Sequence, residues 1–351
     1  MNNSHKNGHS PKIVVIGGGT GTSTVLTGLR KFDVQLSAIV TMFDSGGSSG
    51  RLGREFGYPP FGDLRQCLVA LSDEADDTKA LREALQFRFG GNNGLSGHNV
   101  GNLLMAGLMS NSHDLEQAVD EISRMLRVQG KVIPVTSERA ELCAELENGK
   151  TIRGESNIDV RSESLPKISR VFLEPEVNAG ARAIDAILEA DAVVLGPGDL
   201  YTSIIPNLLA NGIPQALAES SATKIYICNL MTKRGETDGY MASDFVKEIS
   251  GYIGSASLDW AVINTGLPEH MIEAAYRAEQ AFPVKADLDS VQSYVPGVMA
   301  SSLGTKNLPL RHDPYQTSAS IMETIRIGKL DGSHRGGLVS HFNPAEQPLV
   351  G

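Results

Sequence analysis

A chain of 351 residues in which 41% of side chains are apolar and 37 are glycine is long enough to bury one large core or two ordinary ones, which excludes wholesale disorder. Its 41 acidic against 31 basic residues give a net charge of −10, an argument against a broad nucleic-acid footprint. No stretch approaches the roughly 18 apolar residues of a membrane span, and three dispersed cysteines without a C-x-x-C pair, Cys67, Cys143 and Cys228, exclude a disulfide framework and a thiolate zinc site and read as core thiols.

The opening MNNSHKNGHSP is polar where a signal peptide carries an apolar core, so a cytoplasmic protein is expected, with a disordered tail at residues 1–11. Next comes the abrupt run Ile13-Val14-Val15-Ile16. It reads as a strand buried on both faces, because parallel strands covered by helices appear as continuous β-branched runs. Similar runs recur at residues 36–43, 193–195, 225–228 and 261–263. Between them, helical spacing predicts helices at 20–30, 64–71, 80–89, 115–126, 181–188 and 244–253. This alternation predicts an α/β fold with a doubly wound, mostly parallel sheet, whose ligands sit beyond the carboxyl ends of the strands. Four short strand-like runs, at 131–134, 142–146, 151–153 and 169–173, depart from it and predict a small antiparallel β annex at about 131–173. Asn148-Gly149 between two of them is a type I′ hairpin signal. From residue 328 to 351 the chain is rich in Gly, Ser and Pro without apolar periodicity, which predicts a flexible tail. Residues 12–327 then form a single nucleotide-binding domain.

Five loops carry candidate chemistry. Gly17-Gly18-Gly19-Thr20-Gly21-Thr22-Ser23 follows the first strand and opens a helix. Glycines permit close backbone approach, and the helix N-terminus attracts an anion. The fingerprint G-x-G-x-x-G is half met, with Thr22 in its third place, and no G-K-[ST] stands nearby. Asp44-Ser45-Gly46-Gly47-Ser48-Ser49-Gly50-Arg51 packs a carboxylate, three hydroxyls and an arginine together. Asp44 suits a divalent cation or a ribose hydroxyl, and Arg51 a phosphate clamp. Asp63, in PPFGDLR, reads either as a helix N-cap or, facing Asp44, as the second ligand of a magnesium ion. In Gly97-His98-Asn99-Val100-Gly101-Asn102, His98, Asn99 and Asn102 cap a helix or read a polar ligand; a lone histidine makes a weak zinc case. Gly196-Pro197-Gly198-Asp199-Leu200-Tyr201-Thr202-Ser203 is a second anion-ready strand end, so two such loops in one sheet suggest a diphosphate. The fifth loop, residues 229–240, holds Asn229, Thr232 and Asp238.

The segments VVIGGGTGTS, IVTMFDSGGSSGRL, PPFGDLRQCLVAL, GLSGHNVGNLL, VQGKVIPVT, GPGDLYTSIIPNLL, CNLMTKRGETDGYMASD and LRHDP resemble the bacterial gluconeogenesis factor family (YvcK-like), within the CofD-like 2-phospho-L-lactate transferase superfamily. The likeness spans about residues 12–325 in family order. It implies a Rossmann-like three-layer α/β/α fold and a pocket for a nucleotide carrying a sugar or diphosphate. It also implies that Gly18 to Ser23 and Gly196 to Ser203 hold the diphosphate, that Asn229, Thr232 and Asp238 line the nucleoside or sugar, and that Tyr276 and Arg311 matter for nucleotide-sugar binding. An aromatic ring stacked on a base and an arginine paired with a phosphate suit those roles. One departure stands out: the family often has two adjacent aspartates where this chain has Asp44-Ser45, which weakens a hard-cation site.

Two functions follow. The first is a regulatory protein that binds UDP-N-acetylglucosamine or UDP-glucose, needed for cell shape and for growth on gluconeogenic carbon, acting through an unknown protein partner without catalysis. The second is a magnesium-dependent transferase of a phosphorylated three-carbon acid, with Asp44 and Asp63 stabilising charge on the diphosphate. An NAD-binding oxidoreductase with Asp44 on the ribose is a third reading, opposed by the imperfect fingerprint and the second phosphate loop, so no nicotinamide or flavin is expected. No nucleophile stands beside a base and an acid. Nucleic acid and membrane insertion are not expected, and a homodimer is a common state for an acidic α/β chain.

Overall fold

In the computed structural model, which describes residues 10–92, 94–161, 166–266, 281–305, 310–330 and 338–343, the apolar runs become strands. They are β1 (Lys12–Gly17), β2 (Gln35–Val40), β3 (Lys131–Pro134), β4 (Glu141–Leu146), β5 (Thr151–Arg153), β6 (Ile168–Glu174), β7 (Ala192–Leu195), β8 (Thr223–Ile227), β9 (Trp260–Asn264), β10 (Gly297–Ser301) and β11 (Leu338–Phe342). Eight of them form one sheet in the order β11-β10-β9-β8-β7-β1-β2-β3, with every pair parallel. Ile13, Val15 and Ile16 of β1 and the whole of β7 are buried. Removing such a side chain from water stabilises by about 1.5–3 kcal/mol, and this fixes where each following loop begins.

The helices are α1 (Gly19–Leu29), α2 (Gly47–Phe56), α3 (Gly62–Leu71), α4 (Asp76–Gln86), α5 (Val100–Ser112), α6 (Leu115–Met125), α7 (Glu155–Asp159), α8 (Ala181–Leu188), α9 (Ile205–Leu208), α10 (Ile213–Glu219), α11 (Ala242–Tyr252) and α12 (Pro314–Leu330), with a further single turn at Leu288–Val291. The chain moves one way from β1 to β2 and β3 and the other way from β7 to β11, so right-handed crossovers put helices on both faces. Accordingly α1 packs with α3 and α12, while α10 packs with α8 and α9. The strand order reverses between β1 and β7, which is where an open α/β sheet splays its loops into a crevice.

Several local expectations change. Lys131–Pro134 lies parallel to β2 at the edge of the main sheet and is not part of the annex, which has three strands in the order β5-β4-β6. Four apolar residues in isolation do not reveal which strand they join. Leu338–Phe342, inside the stretch read as a loose tail, pairs with β10 in parallel. The Asn148-Gly149 turn is a three-residue loop. Gly149 N–H returns to the Leu146 carbonyl, Leu146 N–H bonds the Lys150 carbonyl, and Gly149 alone takes positive φ, where a type I′ turn needs two such residues. Residues Gly47 to Arg51, read as loop, begin α2. All three cysteines are buried and unpaired.

Candidate functional site

The glycine loop after β1 and the loop after β7 meet at the reversal point. The Gly196 amide donates to the Ile16 carbonyl at 3.0 Å, and a Cβ on Gly21 would lie 2.1 Å from the Pro197 carbonyl oxygen. Only glycine at 21 lets the two loops touch. Between them opens a cleft of about 480 Å3. Gly18, Gly19, Thr20 and Gly21 form one wall, Gly198, Asp199 and Ser203 the second, and Asn229, Thr232, Lys233, Arg311 and His312 a third. Because α1 starts at Gly19 with no side-chain cap on Gly18, the positive end of its dipole faces the cleft.

Other expected phosphate ligands lie elsewhere. Thr22 is fully buried, and the Ser23 hydroxyl bonds back to the Thr20 carbonyl. Tyr201 and Thr202 are buried in a π-helical turn, Leu200–Ile204, where the Tyr201 hydroxyl meets that of Tyr240 at 2.8 Å. Asp238 accepts the Gly235 N–H at 2.6 Å and shapes its own loop. Tyr276 lies outside the described residues.

The fifth loop closes the cleft through a residue that sequence reasoning missed. Lys233 pairs with Asp159, with Asp199 at 2.7 Å and with Glu236 at 3.1 Å. Burial opposes its charge, but Glu236, Asp199 and Asp159 hold the ammonium well above the ordinary lysine range. Glu236 is nearly inaccessible, and burial pushes its carboxyl up to about 8 against the pull of Lys233. Asn229 Nδ2 donates to the Gly198 carbonyl at 2.9 Å, which ties this loop to the one after β7. Behind it the His312 ring meets the Cys228 carbonyl at 3.2 Å, and burial lowers its imidazole to about 4. The ring is therefore neutral at pH 7, and Nε2 must carry the proton to bond a carbonyl.

Asp44 and Asp63 stand beside this cleft. Asp63 occupies the second position of α3, whose N-cap is Phe61, so it is not the N-cap expected; its carboxylate accepts the Gly19 N–H instead. Burial, then the charge of Asp44, raises Asp63 to about 7. Glu155 of α7, in the annex, accepts the Ser45 N–H at 3.2 Å and is raised to about 8 by burial, then by Asp44. Ser45 and Ser156 join hydroxyl to hydroxyl at 2.7 Å, so the annex is bonded to the loop after β2. Asp44, Asp63, Gly46, Gly47, Ser48, Ser49 and Asn102 line a neighbouring cavity of about 430 Å3. Arg51 and His98 line neither space: Arg51 donates to the Ser96 carbonyl at 2.6 Å and His98 Nδ1 meets the Ser48 hydroxyl at 3.2 Å. Asn99 caps α5 by accepting the Asn102 N–H.

Chemically, the cleft offers backbone amides and cations to an anion. Among the described residues no group of three or more His, Cys, Asp or Glu side chains has metal-site geometry, so Asp44 and Asp63 supply two carboxylates at most. Burial also pushes the Cys67 and Cys228 thiols well above their ordinary range, which leaves them inert. Among the described residues no helix is long and apolar enough to cross a membrane.

Comparison with known proteins agrees with the fold. The family model described as 2-phospho-L-lactate transferase CofD matches residues 13–303. The chain is 42% identical over 313 residues to the gluconeogenesis factor of Halalkalibacterium halodurans, covering 89% of this chain and 95% of that protein. It is 40% identical over 321 residues to the gluconeogenesis factor of Bacillus subtilis, covering 91% and 99% respectively. A crystal structure of a UPF0052 family member from Bacillus halodurans has a TM-score of 0.84 at 41% identity, covering 90% of this chain and 100% of that one.

Proposed function

The chain belongs to the 2-phospho-L-lactate transferase CofD family, and from that premise we propose that it is a regulatory protein of the gluconeogenesis-factor type that binds a UDP-sugar. The relatives' name supports the metabolic half of this reading. The observation that carries the binding half is the cleft at the reversal of strand order, where two glycine loops and the N-terminus of α1 face Lys233 and Arg311. A diphosphate is the ligand group that two adjacent anion-ready strand ends suit. Acting on gluconeogenic growth and cell shape through a protein partner is the role we assign to the bound form.

Asp44 and Asp63 would hold a magnesium ion together with the ligand's own phosphate oxygens. Two carboxylates suit a cation that arrives with a diphosphate, since magnesium is commonly held by one or two carboxylates plus phosphates. Its chemistry there would be to neutralise charge on the diphosphate. Asp63 and Glu155, both raised toward neutral pH, favour a second reading, a transferase of the type the family model describes.

Thermal shift and calorimetry with UDP-N-acetylglucosamine, UDP-glucose, GTP and NAD, with and without magnesium, test both. A ligand at 100 times its Kd stabilises by about 2.7 kcal/mol. Stabilisation by the UDP-sugars, lost in Arg311→Ala and with the sugar nucleotide intact after long incubation, is expected. Magnesium-dependent consumption of a nucleotide-linked donor would replace the regulator with the transferase.

A further inference from the structure

We propose that Lys233 reports occupancy of the cleft to the annex: an anion that takes the ammonium draws it off Asp159 and loosens the last residues of α7. The inference rests on the reading that the cleft binds a diphosphate and names how that site is read out. Lys233 and Asp199 stand in the cleft wall, whereas Asp159 lines the neighbouring cavity. One ammonium thus bridges the ligand site and the annex.

An ammonium has three donors, and Asp159, Asp199 and Glu236 face all three. A phosphate oxygen therefore gains it only when one of these acids lets go. Glu236 stands three residues along the same turn and is 3% exposed, so it travels with the lysine. Asp199 shares the cleft wall and stays within reach of an ammonium turned toward a ligand there. Asp159 shares neither the turn nor the cleft. Its side chain is 32% exposed, so water takes over its charge at small cost, and its bond is the one given up.

The five-residue helix α7 then loses an anchor at one end only. Its start stays bonded to the loop after β2 through Glu155 and Ser156, and beyond its end Arg161 Nε donates to the Gly235 carbonyl, so the annex remains attached. Between these points the backbone is held by the Ile158 N–H on the Gly154 carbonyl and the Val160 N–H on the Ser156 carbonyl, each at 3.2 Å. A helix with so few bonds belongs to the low-stability end of a fold and opens readily when an anchor goes.

Hydrogen exchange of residues 155–161 in the full chain, with UDP-N-acetylglucosamine and separately with inorganic pyrophosphate, each titrated by calorimetry, tests this. Saturating ligand is expected to speed exchange there by about threefold to fivefold, the worth of a partly exposed ion pair. Asp159→Ala leaves Lys233 two acids and so keeps the fold. It is expected to exchange at the faster rate with or without ligand, and to bind about threefold to fivefold more tightly because no pair has to break. Asp199→Ala removes a charge from the same lysine but is expected to keep the ligand-dependent exchange, which separates the switch from a general charge effect. Unchanged or slower exchange at 155–161 with ligand bound, or unchanged affinity in Asp159→Ala, would overturn the proposal. So would a response kept in Asp159→Ala and lost in Asp199→Ala, which would put the released bond at Asp199. Pyrophosphate giving the full response while UDP-N-acetylglucosamine fails to bind would remove the sugar-nucleotide reading alone; no binding of either would remove both.

Discussion

Asp63 Oδ2 lies 2.4 Å from the position a Cβ would take on Gly18. The same carboxylate accepts the Gly19 N–H, so an acidic side chain of α3 fills the space that the first glycine loop leaves open. Thr41 Cγ2 crowds that point from the other side at 2.5 Å. Gly18→Ala must push one of them away, although its extended backbone, φ −160°, strains no side chain. Overpacking of this kind costs about 1–3 kcal/mol. Urea denaturation is expected to show that loss, and Gly18→Ala with Asp63→Ser to recover part of it. Equal losses in the single and double variants would show that the carboxylate is not the obstacle.

Lys233→Met removes the cation that Asp159, Asp199 and Glu236 share. Breaking a buried pair by deleting one partner costs about 3–5 kcal/mol; two of these three acids are partly exposed, so the lower end applies. Denaturation at pH 9, above the folded value of about 8 for Glu236, is expected to show this loss, and adding Glu236→Gln to return much of it. A change below about 0.5 kcal/mol would mean that the lysine is solvated in solution.

The pH dependence of stability follows from Glu236. Its folded pKa, about 8, stands above the ordinary glutamate value of 4.5. The folded state therefore holds a proton that the unfolded state has released, and stability is full below about pH 4.5 and falls as pH rises through 8. His312 works in the opposite window: lowered from 6.5 to about 4, it contributes stability above 6.5 that is lost as pH falls through 4. Denaturant midpoints of Glu236→Gln at pH 5, 7 and 9 are expected to show a flatter profile than the parent, with a gain on the order of 1–3 kcal/mol at pH 9. A parallel profile would remove Glu236 as the cause.

Ser45→Asp places a second aspartate next to Asp44. Here Ser45 touches Ser156 and donates its N–H to Glu155, so the new carboxylate would face an acid already raised by burial and Asp44. A loss of about 1–2 kcal/mol is expected in magnesium-free buffer at pH 8, from like charges in a partly buried setting. Magnesium in the millimolar range should reverse it. Insensitivity to the ion would show that the added carboxylate points elsewhere.

The first glycine loop was legible because an apolar run, a glycine cluster and a helical period follow one another without interruption in residues 13–30. The alternation of runs likewise gave the doubly wound sheet. Lys131–Pro134 and Leu338–Phe342 were not legible as sheet edges, since a short strand's partner is a matter of tertiary pairing and not of its own pattern. Lys233 stood in view inside the fifth loop, but its acids come from Asp159, Asp199 and Glu236, drawn together from the annex, the loop after β7 and its own turn. Glu155 reaches the Ser45 N–H from the annex, and no linear spacing signals that.

The position of β1 between β2 and β7 also governs how the chain is assembled as it is made. One flank of β1 is covered by β2 almost at once, but the other waits for β7, and the hydrogen bond from the Lys12 N–H to the Asp191 carboxylate spans 179 residues. At translation rates of roughly 5–20 residues per second, that flank stays open for about 10–35 seconds. An apolar strand edge left bare for so long is a template for pairing with other nascent chains. The second and third walls of the cleft, from Gly198 to His312, join the first only after that interval ends.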